Sequence, residues 1–112
     1  MPLLEITTNT VIDSSLDIAE KVSKLTADLL GKPESYVMVK IIDKQALLFA
    51  GNNKPAAHVK LKSLGLPEDK TAEYSSSHCT FINTELNIEI ARIYIEFVNP
   101  DRHMWGWNGK TF

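Results

Sequence analysis

A single cysteine, Cys79, among 112 residues rules out an internal disulfide, so the fold must hold itself together by packing alone. No stretch approaches the roughly 18 apolar residues that a membrane span needs, and no membrane partner is expected. Cations are not in excess either: 12 Lys and Arg stand against 14 Asp and Glu, a formal charge of -2. That balance gives no electrostatic drive toward nucleic acid or an acidic lipid face, and no Lys/Arg-Gly-Phe run offers bases a stacking platform. The opening residues carry no basic region followed by an apolar run, so synthesis in the cytosol is the expectation. What is left is one domain, residues 1–112, long enough to bury roughly two thirds of its unfolded surface.

The patterning within that domain alternates between periods of two and of 3.6. Leu3 to Thr8 is short, β-branched and close to alternating, which predicts a strand at the very start. Ser14 followed by Asp17 resembles a capping pair, after which Ile18, Val22, Leu25 and Leu29 recur at helical spacing. Gly31 is suited to the left-handed end of that helix, and Pro33 cannot continue it, so Lys32 sits on an abrupt corner. Tyr36 to Ile42 predicts a strand covered on both faces, Ala46 to Ala50 a short strand in a hairpin arm, and Ala57 to Lys62 a half-buried strand. Glu68, Asp69 and Glu73 load the start of a second helix whose inward stripe is Cys79, Ile82 and Leu86; Ala91 to Val98 alternates as a last strand.

Corresponding elements of the two halves lie about 54 residues apart, which predicts two βαβ units. The fold class is therefore α+β: a four-stranded mixed sheet with both helices on one face, joined by right-handed crossovers. The other sheet face is expected to be apolar and bare, and so to need a second copy against it.

Candidate chemistry concentrates at the start of the chain. If Met1 is removed, Pro2 carries a free secondary amine, a base no internal proline can offer. Lys32 reads equally as a plain cation at a helix C-terminus. Trp105 and Trp107 read as interface anchors and Tyr94 as a sheet-packing residue. His58, His78 and His103 fall on different elements without ligand spacing, so no metal is expected, and Cys79 reads as a core residue.

Taken together, several segments resemble the macrophage migration inhibitory factor and D-dopachrome tautomerase family of the tautomerase superfamily. They are Met1-Pro2, Thr8-Asn9, Gly31-Lys32-Pro33 with Tyr36-Val37, Phe49-Ala50-Gly51, Pro55-Ala56, Ser63-Leu64-Gly65, Arg92-Ile93-Tyr94-Ile95, and Gly106-Trp107-Asn108-Gly109 with Thr111-Phe112. The resemblance implies a homotrimer of such subunits around a channel, with an active site at each boundary. By the same resemblance Pro2 is the catalytic base, and Lys32 and the Leu64 amide bind the carboxylate or carbonyl of the substrate. Tyr94 comes from the neighbouring subunit, and Tyr36, Met38, Ser63, Trp107 and Phe112 surround the mouth. The reaction implied is keto-enol tautomerisation of a small aromatic 2-oxo acid such as phenylpyruvate, together with D-dopachrome isomerisation, without a cofactor. The alternative reading is a cytokine-like signal, exported without a leader, that meets a cell-surface receptor.

The chemistry suits those residues. A tautomerase base must be neutral near pH 7, whereas an α-amine titrates at about 8, so the site must lower it. Burial among aromatics and the charge of Lys32 both act in that direction, and Lys32 also stabilises the enolate that forms. Four departures from the family pattern stand out. Glu96 replaces a common asparagine, and a carboxylate from the next subunit there would raise the Pro2 amine and oppose an anionic substrate. Trp105 replaces a smaller aliphatic residue at the rim. Residues 56–59 lack the Cys-x-x-Cys of some members, so thiol-redox activity is not implied. The segments after Asn9 and at Asp43-Lys44 do not reproduce the charged pattern tied to receptor binding in vertebrate members.

Overall fold

Leu3–Thr8 forms the first strand (β1) in a computed structural model that describes all residues from Met1 to Phe112. Helix α1 (Ser15–Leu30) follows, then strand β2 (Met38–Ile42), strand β3 (Ala57–Lys62), helix α2 (Thr71–Leu86) and strand β4 (Ile93–Val98). A hairpin of two short strands, β5 (Gly106–Trp107) and β6 (Lys110–Thr111), closes the chain. The main sheet has the order β2-β1-β3-β4, with β1 parallel to β2, β3 parallel to β4, and the two pairs joined antiparallel through β1 and β3. This is the α+β arrangement of two βαβ units that the patterning predicts.

One face of the sheet makes the core. Leu4, Ile6, Val59 and Leu61 are fully buried there against Val22 of α1 and Tyr74 and Ile82 of α2. Burying each such side chain contributes about 1.5–3 kcal/mol. Between the helices, Thr26 Oγ1 lies 3.1 Å from His78 Nε2, and the Nδ1 of the same ring lies 2.8 Å from the Tyr74 carbonyl. That pairing lets two polar residues enter the helix interface, which apolar spacing alone does not anticipate. Leu25 and Leu29 accordingly rotate to half-buried positions, while Cys79 and Ile82 point inward as expected.

The opposite face departs from expectation. It is not a continuous apolar surface: its middle row, read across the strands, is Lys40, Glu5, Lys60 and Glu96. Charge alternates along that row, with Lys40 Nζ 3.7 Å from Glu5 and Lys60 Nζ 3.9 Å from Glu96. Glu96 also lies 3.0 Å from His58 Nε2. Only the flanking rows carry Leu3, Met38, Ile42, Tyr94 and Val98. The reason is that the face points away from both helices, so period-two alternation fills it with the polar half of each strand.

Other local expectations are corrected in the same way. The Ser14 side chain makes no capping bond, and Asp17 turns along the helix to meet Lys21 at 3.4 Å. Tyr36 ends a single 3₁₀ turn, its amide bonded to the Pro33 carbonyl at 3.0 Å, so β2 begins only at Met38. As an outer strand with a helix on one side only, β2 is half open, and Met38 is 65% exposed. No strand forms at Ala46 to Ala50. Instead Phe49 and Asn52 exchange backbone bonds of 3.0 and 3.2 Å around Ala50 and Gly51, both with positive φ, a tight turn. Ala91 and Arg92 belong to a 3₁₀ turn, and β4 starts at Ile93.

Candidate active site

The site is built where the start of the chain, the end of α1 and the C-terminal hairpin meet. Pro2 is fully buried, and its carbonyl accepts the Met38 amide at 2.9 Å, which ties the start of β1 to the start of β2. Lys32 is fixed by the way α1 stops. Gly31 takes the left-handed conformation (φ 62°), the Lys32 amide reaches back to the Ala27 carbonyl at 3.0 Å and the Gly31 amide to Asp28 at 3.3 Å. These two bonds are those of a Schellman cap. The lysine side chain then crosses to the end of β3, where Nζ donates to Ser63 Oγ at 2.9 Å and to the Leu64 carbonyl at 2.8 Å.

The C-terminal hairpin supplies the aromatic wall. Asn108 and Gly109, with φ of 54° and 74°, make the two-residue turn that lets β6 fold back on β5. A Cβ at Gly106 would stand 2.9 Å from the Lys110 carbonyl oxygen, so the strands approach this closely only because that residue is glycine. The Phe112 amide bonds to the Trp105 carbonyl at 3.1 Å, which brings Phe112 to the same side as Trp107.

Between these parts lies a cavity of about 420 Å³, lined by Lys32, Tyr36, Leu64, Arg102, Trp107 and Phe112, with Met1 at its edge. A smaller hollow of about 150 Å³ is lined by Pro2, Met38 and Trp105. Met1, Tyr36 and Trp107 line both. The Trp105 ring lies under Lys62, whose Nζ is 4.4 Å from its centroid. Electrostatics in the larger cavity favour neutral bases. Burial, then Lys32, then Arg102 hold the Met1 amine below its ordinary value, and burial lowers Lys32 itself.

Of the residues expected from the sequence, Lys32, Tyr36, Leu64, Trp107 and Phe112 share the larger cavity. Pro2, Met38 and Trp105 line the smaller, and Ser63 is buried beneath Lys32. Tyr94 and Glu96 line neither. Tyr94 is 67% exposed on the helix-free face, its ring edge-on to Phe49 at 4.9 Å. Leu64 presents its carbonyl to Lys32, while its amide makes no backbone bond. Sequence reasoning missed Arg102, which enters from a 3₁₀ turn after Asn99-Pro100-Asp101. Nothing in a lone arginine flags such a role. It also missed the terminal hairpin, although the Asn108-Gly109 pair is a direct signal for one.

Comparison with known proteins agrees with the fold. The profile of the family described as Macrophage migration inhibitory factor (MIF) matches residues 1–112. The chain is 38% identical over 114 residues to a macrophage migration inhibitory factor homolog of Trichinella spiralis, covering 100% of both chains. It is 34% identical over 116 residues to the Xenopus tropicalis macrophage migration inhibitory factor, covering 100% of this chain and 99% of that one. The crystal structure of the Prochlorococcus marinus homologue superposes with a TM-score of 0.93 at 37% identity over 98% of each chain. The Trichinella spiralis structure does so with a TM-score of 0.93 at 37% identity, over 98% of this chain and 99% of that one. On its sequence and on its fold, this chain belongs to the macrophage migration inhibitory factor family.

Proposed function

We propose that the protein is a tautomerase in which the Pro2 amine, freed by loss of Met1, moves a proton between carbon and oxygen of a small aromatic 2-oxo acid of the phenylpyruvate or dopachrome type. The observation that carries this reading is the placement of Lys32 beside the start of the chain, in a cavity walled by Tyr36, Trp107 and Phe112. An amine at that point feels burial and the Lys32 charge together, as the Met1 amine does here. With Met1 in place the Pro2 nitrogen is an amide and has no basicity. With Met1 gone, the nitrogen would open onto the space that Met1 now shares between the two hollows.

In the mechanism, Lys32 receives the carboxylate or carbonyl oxygen, helped by the free Leu64 amide. Pro2 removes the proton from the adjacent carbon, Lys32 stabilises the enolate, and the proton returns from the Pro2 ammonium to the other site of the enolate. Tyr36, Met38, Trp105, Trp107 and Phe112 exclude water and hold the ring, and Ser63 orients Lys32. Tyr94 and Glu96 enter the site only if a second copy lies against the helix-free face, and a homotrimer is part of the proposal. Glu96 is already met by His58 and Lys60 of its own chain, which blunts its opposition to an anionic substrate. Intact-mass analysis paired with a phenylpyruvate assay tests the reading. Met1-free protein should turn over, and Pro2→Gly should lose most of the rate while keeping its oligomeric state; equal rates would refute it.

The relatives' name supports a second role, as a secreted signal that meets a cell-surface receptor. Cell-migration activity that survives Pro2→Gly would separate that role from catalysis.

A further inference from the structure

Arg102 lines the cavity but has no role in the tautomerase mechanism, and its surroundings are unusual. It and Lys32 line the same cavity, and no Asp or Glu does. Neither cation forms an ion pair, although the chain has four lysines and a histidine side chain in such pairs or in contact with an aromatic ring elsewhere. A chain of formal charge -2 thus concentrates two unpaired cations in one largely apolar hollow. Two like charges lining one hollow make it attractive to an anion, because a bound anion is drawn to both.

The donors that remain free differ between the two. An ammonium has three N–H groups, and Lys32 spends two of them on Ser63 and Leu64, which leaves one for a ligand. The Arg102 side chain makes no hydrogen bond within the chain, so its whole planar fork is available for a carboxylate. Its backbone is ordered nonetheless: the Met104 amide bonds to Asp101 at 2.9 Å and the Trp105 amide to Arg102 at 3.3 Å. Tyr36, Trp107 and Phe112 complete the same cavity, suited to a flat ring.

We propose that Arg102 is a second anion-binding residue of this site, and that the preferred ligands are aromatic 2-oxo acids bearing a further carboxylate on the ring, one anionic end at Lys32 and the other at Arg102. The proposal rests on the tautomerase reading and names its substrate class.

The test is a titration of Trp fluorescence in the full chain, freed of Met1, with phenylpyruvate and with 4-carboxyphenylpyruvate. A charge-assisted bidentate contact implies that the second ligand binds about tenfold more tightly. Arg102→Ala should abolish that preference, weakening the dicarboxylate far more than phenylpyruvate, and Arg102→Lys should restore only part of it. The preference should also shrink as salt rises. Equal affinity of the two ligands in the unaltered chain, or a preference that survives Arg102→Ala, would overturn the proposal. Because fluorescence reads binding without turnover, an inactive chain that still prefers the dicarboxylate would sink the tautomerase reading and leave the Arg102 site standing.

Discussion

Lys32 and Leu64 are joined by a 2.8 Å hydrogen bond from ammonium to carbonyl, which ties the C-terminal corner of α1 to the turn after β3. With Ser63 Oγ at 2.9 Å, it holds a cation in a partly buried position near the chain's first residues. A helix-end cation free in solvent would make neither bond.

Lys32→Met therefore removes charge while keeping much of the apolar stem. The Pro2 amine should lose its cationic neighbour and its pKa should rise, so the acidic limb of the pH dependence of kcat/KM should move to higher pH. Loss of enolate stabilisation should lower kcat/KM by about 100-fold, in the range seen for removal of one oxyanion donor. A limb that stays in place would show that Lys32 does not act on the base.

The Thr26 and His78 pair sets a stability prediction. Burial lowers the His78 pKa below its ordinary value of 6.5. As pH falls below about 6.5 the unfolded chain takes up a proton that the folded one does not, so stability falls with pH until the folded pKa is passed, and is fully present above 6.5. Thr26→Val leaves a buried ring nitrogen without a partner and should cost about 1–3 kcal/mol at neutral pH. Thermal melts across the acid range check both statements.

Gly106→Ala would drive a methyl group into the Lys110 carbonyl at 2.9 Å, against backbone that cannot rotate away. The expected cost is about 1–3 kcal/mol. Because β5 and β6 carry the wall of the cavity, ligand affinity should fall along with the Tm. An unchanged affinity would show that the hairpin is dispensable to the site.

Arg92 is buried and donates to the carbonyls of Pro55, Phe49, Asn52 and Lys54 at 2.9 to 3.4 Å, with its guanidinium 5.1 Å from the Phe49 ring. Lysine cannot reproduce that fork, so Arg92→Lys should destabilise by about 2 kcal/mol. Since Phe49 packs on Tyr94, the same variant should change the tyrosine environment, readable by NMR.

How much of this was legible beforehand follows from the kind of force involved. Strands β1 and β3 read directly from alternation, because Leu4, Ile6, Val59 and Leu61 each answer to burial on one face. Gly31 and Pro33 marked the Lys32 corner because their backbone limits are local. The charged row from Lys40 to Glu96 was not legible as a row, since it depends on the register of four strands. Thr26 was hidden for a similar reason: its burial is decided by His78, 52 residues away. Arg102 was invisible because its meaning comes from Lys32 and Trp107, which only the fold sets around it.

If a free secondary amine at Pro2 does the chemistry beside Lys32, blocking that amine should abolish turnover. The most direct measurement compares the phenylpyruvate tautomerase rate of Met1-free protein with that of a version bearing one extra alanine ahead of Pro2. That insertion turns the proline nitrogen into an amide and leaves every other residue in place. The extended chain should run near background and the Met1-free chain should turn over clearly; equal turnover in both would show that the Pro2 amine is not the base.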